Sequence, residues 1–457
     1  MWRIESMNAG RGESSEDDIL RMRDKESDTN ACDRRGTSKS DQEEETVNFK
    51  STVATVMACL WLSAGAHAAD SVKIAHIDPM SGPFGLVGES LAKHFDATAE
   101  QINAMGGVLG GMKFEIVHFD NKSSPQESVL ILKQIIDSGI RFVTQGGGSN
   151  IAHALSEAVA KHNSRNPDSS VLYLNFAAQD PALTNDKCNF WHFRFDAHVD
   201  MKLDAITSHI ARQKDIRKVY LFNQDYAFGQ AISKAAREML TRKRPDIEIV
   251  GDDLHPLGKV KDFSPYIAKI RASGAQAVIT GNWGSDFTLL IKSSRDSGLG
   301  VIFYTLNAQN AGAPSSIGAA GADHIKQVFT WHANIADNKA EKFALDFRKK
   351  YNGDFYYNTA KTELEMLAKA MNDTKSADPL KVARALEGMK YQSDTGEVWM
   401  RADDHQIMQP IYIATFTKAG GKDVKIDAEG SGYGWKTDLR IESADTVLPT
   451  SCVMTRP

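Results

Sequence analysis

From residue 72 onward, this 457-residue chain alternates short apolar runs with longer amphipathic segments. The apolar runs predict strands, and the segments with apolar residues every three or four positions predict helices. A regular alternation of the two predicts parallel sheets that are covered by helices on both faces. The predicted strands are 72–77, 113–119, 141–145, 171–175, 218–223, 247–252, 277–281 and 301–306, and the predicted helices are 88–105, 126–138, 151–162, 199–213, 229–243, 266–273 and 287–297.

The alternation restarts after Asp196, which predicts a second α/β unit about as large as the first. A chain of this length exceeds the size at which a single hydrophobic core stops growing, so more than one domain is expected. Three further helices, two further strands and then glycine-rich loops are predicted, with the helices at 339–351, 359–372 and 379–388 and the strands at 396–401 and 411–417.

The N-terminal part has the features of an export signal. A basic residue precedes an apolar run over 53–62, and Ala66-His67-Ala68 supplies the small residues of a cleavage site. The run is too short to span a bilayer. We therefore predict a signal peptide over 47–68 and a soluble, periplasmic mature protein that begins at Ala69. The alternatives are a buried helix of a cytosolic domain and a lipoprotein signal ending at Cys59.

Residues 1–46 are rich in charge and lack apolar periodicity. Such a segment cannot bury enough apolar surface to offset the entropy lost on ordering. A signal peptide normally begins a chain, so this extension needs an explanation. We predict either a disordered extension or a translation start assigned too far upstream, with Val47 as the candidate first residue.

Removal of the signal peptide leaves two cysteines, Cys188 and Cys452. An even pair in an oxidising compartment predicts one disulfide, and two buried free thiols are the alternative. The two cysteines lack the paired spacing of a zinc site, and the scattered histidines also lack metal-ligand spacing. A net charge of −5 gives no support for a nucleic-acid partner. No cofactor or metal is therefore predicted.

Three loops follow predicted strands and lead into predicted helices, where ligands of open α/β sheets bind. The N-terminal turns of such helices present free N–H groups to anions. The loops cover 81–85, 148–150 and 177–180, and each is rich in residues that any turn could also require. The glycines before Ser149 do not continue into a dinucleotide-binding pattern, because Ile151 stands where that pattern needs glycine.

Three aromatic residues lie beside glycines in the predicted loops of the second unit. An apolar wall with a few polar anchors is what a cleft for a small ligand requires. We predict that Phe228 and Trp283 line such a cleft. For Tyr226, a cleft position and an ordinary loop anchor are equally consistent with the sequence.

Four segments resemble the branched-chain amino-acid-binding proteins of ABC importers. Residues 74–83 (IAHIDPMSGP) resemble the opening of that family, and 175–184 (NFAAQDPALT) resemble its loop of small residues followed by Pro-x-Leu-Thr. Residues 223–229 (NQDYAFG) resemble the loop that opens its second lobe, and 339–351 resemble its phenylalanine-rich basic helix. The likeness keeps this order over nearly the whole chain after residue 68.

The resemblance implies an α/β fold of two doubly wound parallel-sheet lobes joined by a three-segment hinge, the type I periplasmic binding fold. The implied lobes are 72–195 with 334–395 and 196–333 with 396–440, and 441–457 form a tail near the hinge. Matching positions for a ligand carboxylate are Ser149, Asn150, Ala177 and Gln179, and those for the ligand body and amine are Phe228, Trp283 and Gln309. Ala178 and Tyr226, which lie close to these positions in sequence, are also included in the predicted ligand site.

Two departures from the family pattern concern the ligand. Gln179 stands where leucine binders carry a threonine, and the neutral pair Gln309-Asn310 stands near the position of the acid that pairs with an α-ammonium. Asp286, or another acid of the second lobe, could still supply that charge. The resemblance therefore implies a carboxylate ligand but leaves leucine-type specificity open.

The function predicted from these observations is that of the periplasmic solute-binding component of an ABC importer. It would bind a branched-chain or related amino acid, or an aromatic or aliphatic acid, by lobe closure, and a monomer would deliver it to an inner-membrane permease. An enzyme is not predicted, because no nucleophile elbow or carboxylate pair stands out. An exported α/β hydrolase and a ligand sensor of the same fold are the alternatives.

Overall fold

The computed structural model describes residues 71–457, so the predicted signal peptide and the segment before it lie outside the described residues. No helix in this described part is long and apolar enough to cross a membrane. The first sheet contains β1 (Ser71–Asp78), β2 (Lys113–Asp120), β3 (Phe142–Gln145), β4 (Leu172–Asn175) and β5 (His192–Arg194). Its strand order is β2-β1-β3-β4-β5, and every neighbouring pair is parallel.

Three helices connect the strands of the first sheet, namely α1 (Gly85–Ala104), α2 (Pro125–Asp137) and α3 (Ser149–Arg165). The hydroxyl of Ser124 caps α2 by accepting a hydrogen bond from the backbone N–H of Glu127 at 3.2 Å. Gly88 lets α1 lie against the loop after β1, since a Cβ there would come within 2.0 Å of the Pro79 carbonyl oxygen. Local capping and close packing thus fix where these helices begin.

The second sheet has seven strands, β6 (Lys218–Gln224), β7 (Glu248–His255), β8 (Ala277–Thr280), β9 (Ile302–Thr305), β10 (Ile325–Phe329), β14 (Ile411–Lys418) and β15 (Tyr433–Ile441). Their order is β15-β14-β10-β9-β8-β6-β7, and the strands from β6 to β10 pair in parallel with one another. Its helices are α4 (Val199–Arg212), α5 (Ala227–Lys243), α6 (Ser264–Ala272), α7 (Gly284–Ser297) and α8 (Ala313–Ile317).

Two strands of the second sheet run antiparallel and were only partly predicted. β14 pairs antiparallel with β10, and β15 pairs antiparallel with β14 at the sheet edge. The prediction of glycine-rich loops after residue 417 is wrong for β15. That strand buries Gly434 and Trp435, while the rest of it is exposed or half-buried, so no apolar run marks it. An edge strand with one solvated face gives only this weak signal.

The chain passes between the two sheets three times: after β5, after β10 and again before β14. Between the second and third passages lie α9 (Glu341–Tyr351), α10 (Asn358–Thr374) and α11 (Pro379–Leu386), followed by a small antiparallel sheet of β11 (Lys390–Ser393), β12 (Gly396–Met400) and β13 (Ile407–Met408). Val398, Met400 and Ile407 pack into the core of the first sheet. The lobe boundaries given above stay a prediction.

Cys188 and Cys452 form a disulfide, as predicted, with their Cα atoms 5.7 Å apart. Beside the bridge, the Thr450 hydroxyl donates to the Thr184 carbonyl oxygen at 2.9 Å, and the Ser451 N–H donates to the Asn185 side-chain oxygen at 3.0 Å. The C-terminal tail is therefore fastened to the segment that follows β4.

Glu363 of α10 is a fully buried carboxyl group in the first core. Burial raises the pKa of Glu363 well above its ordinary value, the Asp78 carboxylate adds to the rise, and the Thr144 hydroxyl opposes it. The folded protein therefore keeps Glu363 protonated at pH values where the unfolded chain ionises it. This difference favours unfolding as the pH rises above about 4.5.

Glu363→Gln is thus expected to stabilise the protein at neutral pH. The gain over wild type should vanish near pH 4 and grow with pH above it, by up to about 1.4 kcal/mol per pH unit. Urea unfolding at pH 4, 5, 6 and 7 measures this difference. The exposed Glu248→Gln serves as the control and should show no such growth. A Glu363→Gln curve parallel to wild type at every pH would contradict the buried, protonated state.

Candidate ligand-binding cleft

A small cavity lies where loops at the carboxyl ends of both parallel sheets meet. The first sheet contributes the loops after β3 and β4, together with one face of α1. The second sheet contributes the loops after β6, β8 and β9. The lining residues are Val87, Leu91, Gly146, Gly147, Gly148, Ser149, Ala177, Ala178, Gln179, Tyr226, Phe228, Trp283, Asn307, Asn310 and Tyr357.

The N-terminus of α3 forms the polar end of this cavity. Gly148 adopts a φ of 101°, a conformation that favours glycine, and turns the chain from β3 into α3. The first N–H groups of a helix have no acceptor within the helix, so those of Ser149 and Asn150 are available to an anion. The Ser149 hydroxyl oxygen accepts a hydrogen bond from the Asp180 N–H at 3.2 Å, which joins this turn to the loop after β4.

The Asp78 carboxylate stabilises the glycine loop 146–148 by accepting hydrogen bonds from its backbone. One of its carboxylate oxygens accepts hydrogen bonds from the N–H groups of Gly147 at 2.6 Å and Gly146 at 3.3 Å. The other oxygen lies 2.8 Å from Nε2 of His76, and both side chains are fully buried. A Cβ at Gly147 would meet the Asp78 carboxylate at 2.6 Å, so only glycine fits this close approach. The sequence alone did not indicate this support.

The loop after β4 is shaped by Asn175 and Arg194. The Asn175 side-chain oxygen accepts from the N–H groups of Ala177 at 3.2 Å and Ala178 at 2.7 Å. Arg194 of β5 donates to the Asp180 carbonyl oxygen at 2.6 Å and to the Gln406 side-chain oxygen at 2.7 Å. Burial lowers the pKa of Arg194 to about 10, so the guanidinium stays charged at neutral pH. This cation links the loop to the third passage between the sheets.

Gln179 belongs to the loop after β4, and its side chain is part of the cavity lining. It is only 2% exposed, and its side-chain oxygen has no hydrogen-bond partner within residues 71–457. A buried side-chain oxygen without a donor is costly, so this atom favours a ligand group that donates a hydrogen bond to it, while the amide nitrogen of the same side chain can donate to a ligand oxygen.

An aromatic wall faces the polar end. The Trp283 indole N–H donates to the Tyr226 hydroxyl oxygen at 2.9 Å, and burial raises the pKa of Tyr226 above its ordinary value. Tyr226 and Phe228 lie with ring centroids 5.9 Å apart. Phe84, from the loop after β1, packs on Trp283 with ring centroids 4.1 Å apart, so the two sides of the cleft touch at this point.

The structure brings seven of the nine predicted ligand residues into this one cavity, namely Ser149, Ala177, Ala178, Gln179, Tyr226, Phe228 and Trp283. Asn150 lies in the first turn of α3 but is not part of the lining. Gln309 lines a second cavity with Trp331 and Tyr356 and is not part of this lining. The contact of each with a ligand stays a prediction.

The turn after β9 explains why Gln309 is not part of this lining. The Asn310 N–H donates to the Asn307 carbonyl oxygen at 3.2 Å, and this turn directs both asparagines into the cleft. Tyr357 was also missed, because it enters from the segment after α9 without any local motif. Within residues 71–457, no group of three or more His, Cys, Asp or Glu side chains is arranged to hold a metal ion.

Comparisons with known proteins agree with this architecture. Residues 71–422 match the family described as periplasmic binding protein. A Leu/Ile/Val-binding protein homolog 4 from Brucella abortus is 32% identical over 417 residues, covering 88% of this chain and 97% of the relative. A leucine-, isoleucine-, valine-, threonine- and alanine-binding protein from Pseudomonas aeruginosa is 24% identical over 351 residues, covering 76% of this chain and 90% of the relative.

Solved structures show the same fold. The leucine-, isoleucine-, valine-, threonine- and alanine-binding protein from Brucella ovis, in a closed conformation, is 28% identical with a TM-score of 0.75, covering 85% of this chain and all of that one. A solute-binding protein from Rhodopseudomonas palustris in complex with 3,4-dihydroxybenzoic acid is 18% identical with a TM-score of 0.71, covering 82% and 98%, and shows the fold alone. The chain therefore belongs to the periplasmic binding protein family of ABC transporters, as a leucine-binding-protein-like member with the type I fold, and this family consists of solute-binding proteins and not of enzymes.

Proposed function

We propose that this chain is the periplasmic solute-binding component of an ABC importer. It binds a small carboxylate in the cleft between two lobes, closes around it and delivers it to an inner-membrane permease. The Brucella relatives are named for leucine, isoleucine and valine, which are carboxylates with apolar bodies. Branched-chain or related amino acids and aromatic or aliphatic acids are the candidate ligands.

The polar end of the cleft carries this proposal. The N-terminus of α3 offers free N–H groups and a positive dipole end, which favour an anion. Beside it, the Ser149 hydroxyl can donate its proton, and the Gln179 amide nitrogen carries two N–H donors in the cavity lining. A carboxylate would satisfy these donors together.

The aromatic wall supports a role for lobe closure. We propose the predicted lobes with one change, which moves 396–407 to the first lobe. The first lobe is then 72–195 with 334–407 and the second is 196–333 with 408–440, because Val398, Met400 and Ile407 pack in the first core and Met408 packs in the second. The contact between Phe84 and Trp283 joins loops from opposite sides of the cleft. A ligand held between those sides would add its own contacts to both and would favour the closed arrangement.

A thermal-unfolding screen of the chain from Ala69 onward tests the proposal. The panel contains branched-chain amino acids, aromatic acids and short aliphatic carboxylates, with sugars and free amines as controls. A ligand at 100 times its dissociation constant should stabilise the protein by about 2.7 kcal/mol, which raises the melting temperature by several degrees. Stabilisation by a sugar or an amine, and by no carboxylate, would overturn the proposed ligand class.

A further inference from the structure

Within residues 71–457, no charged side chain lines the cleft. Among its fifteen lining residues within the described part of the chain, the polar side chains are one serine, one glutamine, two asparagines and two tyrosines. We infer that the ligand is a carboxylate without an ammonium group, such as an aromatic acid or a 2-keto acid with a branched or aromatic body. This inference rests on the proposed function and concerns the end of the ligand that faces the second sheet.

At that end of the cavity, a buried ammonium group would find no anion among the described lining residues to offset the cost of losing its water. Removing an ammonium from water is costly unless a nearby anion and several acceptors replace its hydration shell. The Tyr226 hydroxyl oxygen already accepts from Trp283, and the side-chain oxygen of Asn307 accepts from the Tyr357 hydroxyl at 3.4 Å. Asn310, which is 3% exposed, supplies a side-chain oxygen without a partner among the described residues. One neutral acceptor cannot replace an anion.

Nearby carboxylates are engaged elsewhere and do not line the cavity. Asp286 accepts hydrogen bonds from Gln224 Nε2 and from the Gly258 N–H, both at 2.8 Å. Its other oxygen is buried without a partner in residues 71–457, which makes Asp286 the one rival partner for an ammonium. Asp78 accepts from the glycine loop and lies beside His76 at the opposite end.

The same groups suit an uncharged substituent. Because Trp283 donates to the Tyr226 oxygen, the Tyr226 proton is free to donate to a keto oxygen, and burial keeps this hydroxyl protonated by raising its pKa. The Asn310 oxygen can accept from a hydroxyl. Trp283 and Phe228 present flat apolar faces to a ring or a branched chain.

Calorimetric titration with matched ligand pairs tests the inference. The pairs are leucine with 4-methyl-2-oxopentanoate, and phenylalanine with phenylpyruvate and with benzoate. We expect the tightest ammonium-free acid to bind at least about tenfold more tightly than either amino acid. Amino acids that bind more tightly than every ammonium-free acid would overturn the inference and leave the proposed function intact. Failure of every carboxylate to bind would overturn the proposed function itself.

Three variants test which residue sets the preference for a ligand without an ammonium group. Asn310→Asp places an anion in the cleft, so it should weaken binding of the ammonium-free acid at least about tenfold and improve binding of the matching amino acid. Gln309→Glu is the matched control, because it adds the same charge one residue away in the other cavity, and it should leave the preference unchanged. Asp286→Asn tests the rival: loss of tight amino-acid binding in that variant would overturn the inference. Thermal melts verify that each variant is folded.

Discussion

Replacing Ser149 and Gln179 together by alanine is expected to weaken binding of a carboxylate ligand by about 100- to 10,000-fold. Each side chain lies at the polar end of the cleft, where it can donate to the carboxylate beside the N-terminus of α3. A lost hydrogen bond to a charged group is worth about 1.5–3 kcal/mol, and 1.4 kcal/mol corresponds to a factor of ten. Calorimetric titration of the double variant measures the loss.

Ser156→Ala is the matched control for this experiment. Ser156 lies two turns further along α3, is also buried, and accepts from Asn189 Nδ2 at 2.6 Å outside the cleft. It should bind ligand like wild type. The double variant also loses the contact between the Ser149 hydroxyl and the Asp180 N–H, so a modest loss of stability is expected and circular dichroism must verify folding. Unchanged affinity in a folded double variant would remove both side chains from the site.

Removing the disulfide is expected to lower the free energy of unfolding by about 2–4 kcal/mol. Cys188 and Cys452 are 264 residues apart in sequence, and a cross-link that closes so long a loop strongly restricts the unfolded chain. The double variant Cys188→Ala, Cys452→Ala avoids a free thiol. Urea unfolding of the oxidised wild type and the variant measures the difference.

Arg456→Ala is the control that removes another contact of the C-terminal tail and leaves the disulfide in place. The Arg456 guanidinium lies 2.7 Å from the Glu387 carboxylate in an ion pair that solvent reaches from the arginine side, so the variant should cost about 1 kcal/mol. Ligand affinity should survive in both proteins, because neither change alters the cavity lining. An oxidised wild type that unfolds at the same urea concentration as the double cysteine variant would contradict the stabilising role of the bridge.

The parallel strands and their helices could be predicted because strands that are buried on both faces consist largely of consecutive apolar residues. Residues 171–174 and 277–279 are apolar throughout, and the structure places β4 and β8 over these runs with every residue of both strands buried. β15 was missed because most of its positions are solvated, and β10 because its lysine and glutamine interrupt the apolar run. These two strands, one at a sheet edge and one with polar residues between buried ones, therefore could not be predicted from the sequence.

The polar end of the candidate site could be predicted for a related reason. Loops between strand ends and helix N-termini are fixed by local chain geometry, and Ser149 and Gln179 lie in such loops. Asn310 lines the cavity in place of the predicted Gln309 because of a turn after β9 that the sequence did not reveal. Asn307 and Tyr357 reach the cavity only because distant segments fold together, as do Asp78 and Arg194 behind the loops.

The most direct test of carboxylate binding at the N-terminus of α3 compares the tightest ligand with its own carboxamide. The two molecules have nearly the same shape, but the carboxamide is uncharged and replaces one acceptor oxygen with an N–H donor that would face the free N–H groups of α3. Calorimetry should show at least about 100-fold weaker binding of the carboxamide to wild type. The difference should shrink in the Ser149→Ala, Gln179→Ala variant. Equal affinity of the acid and its carboxamide for wild type would contradict the account.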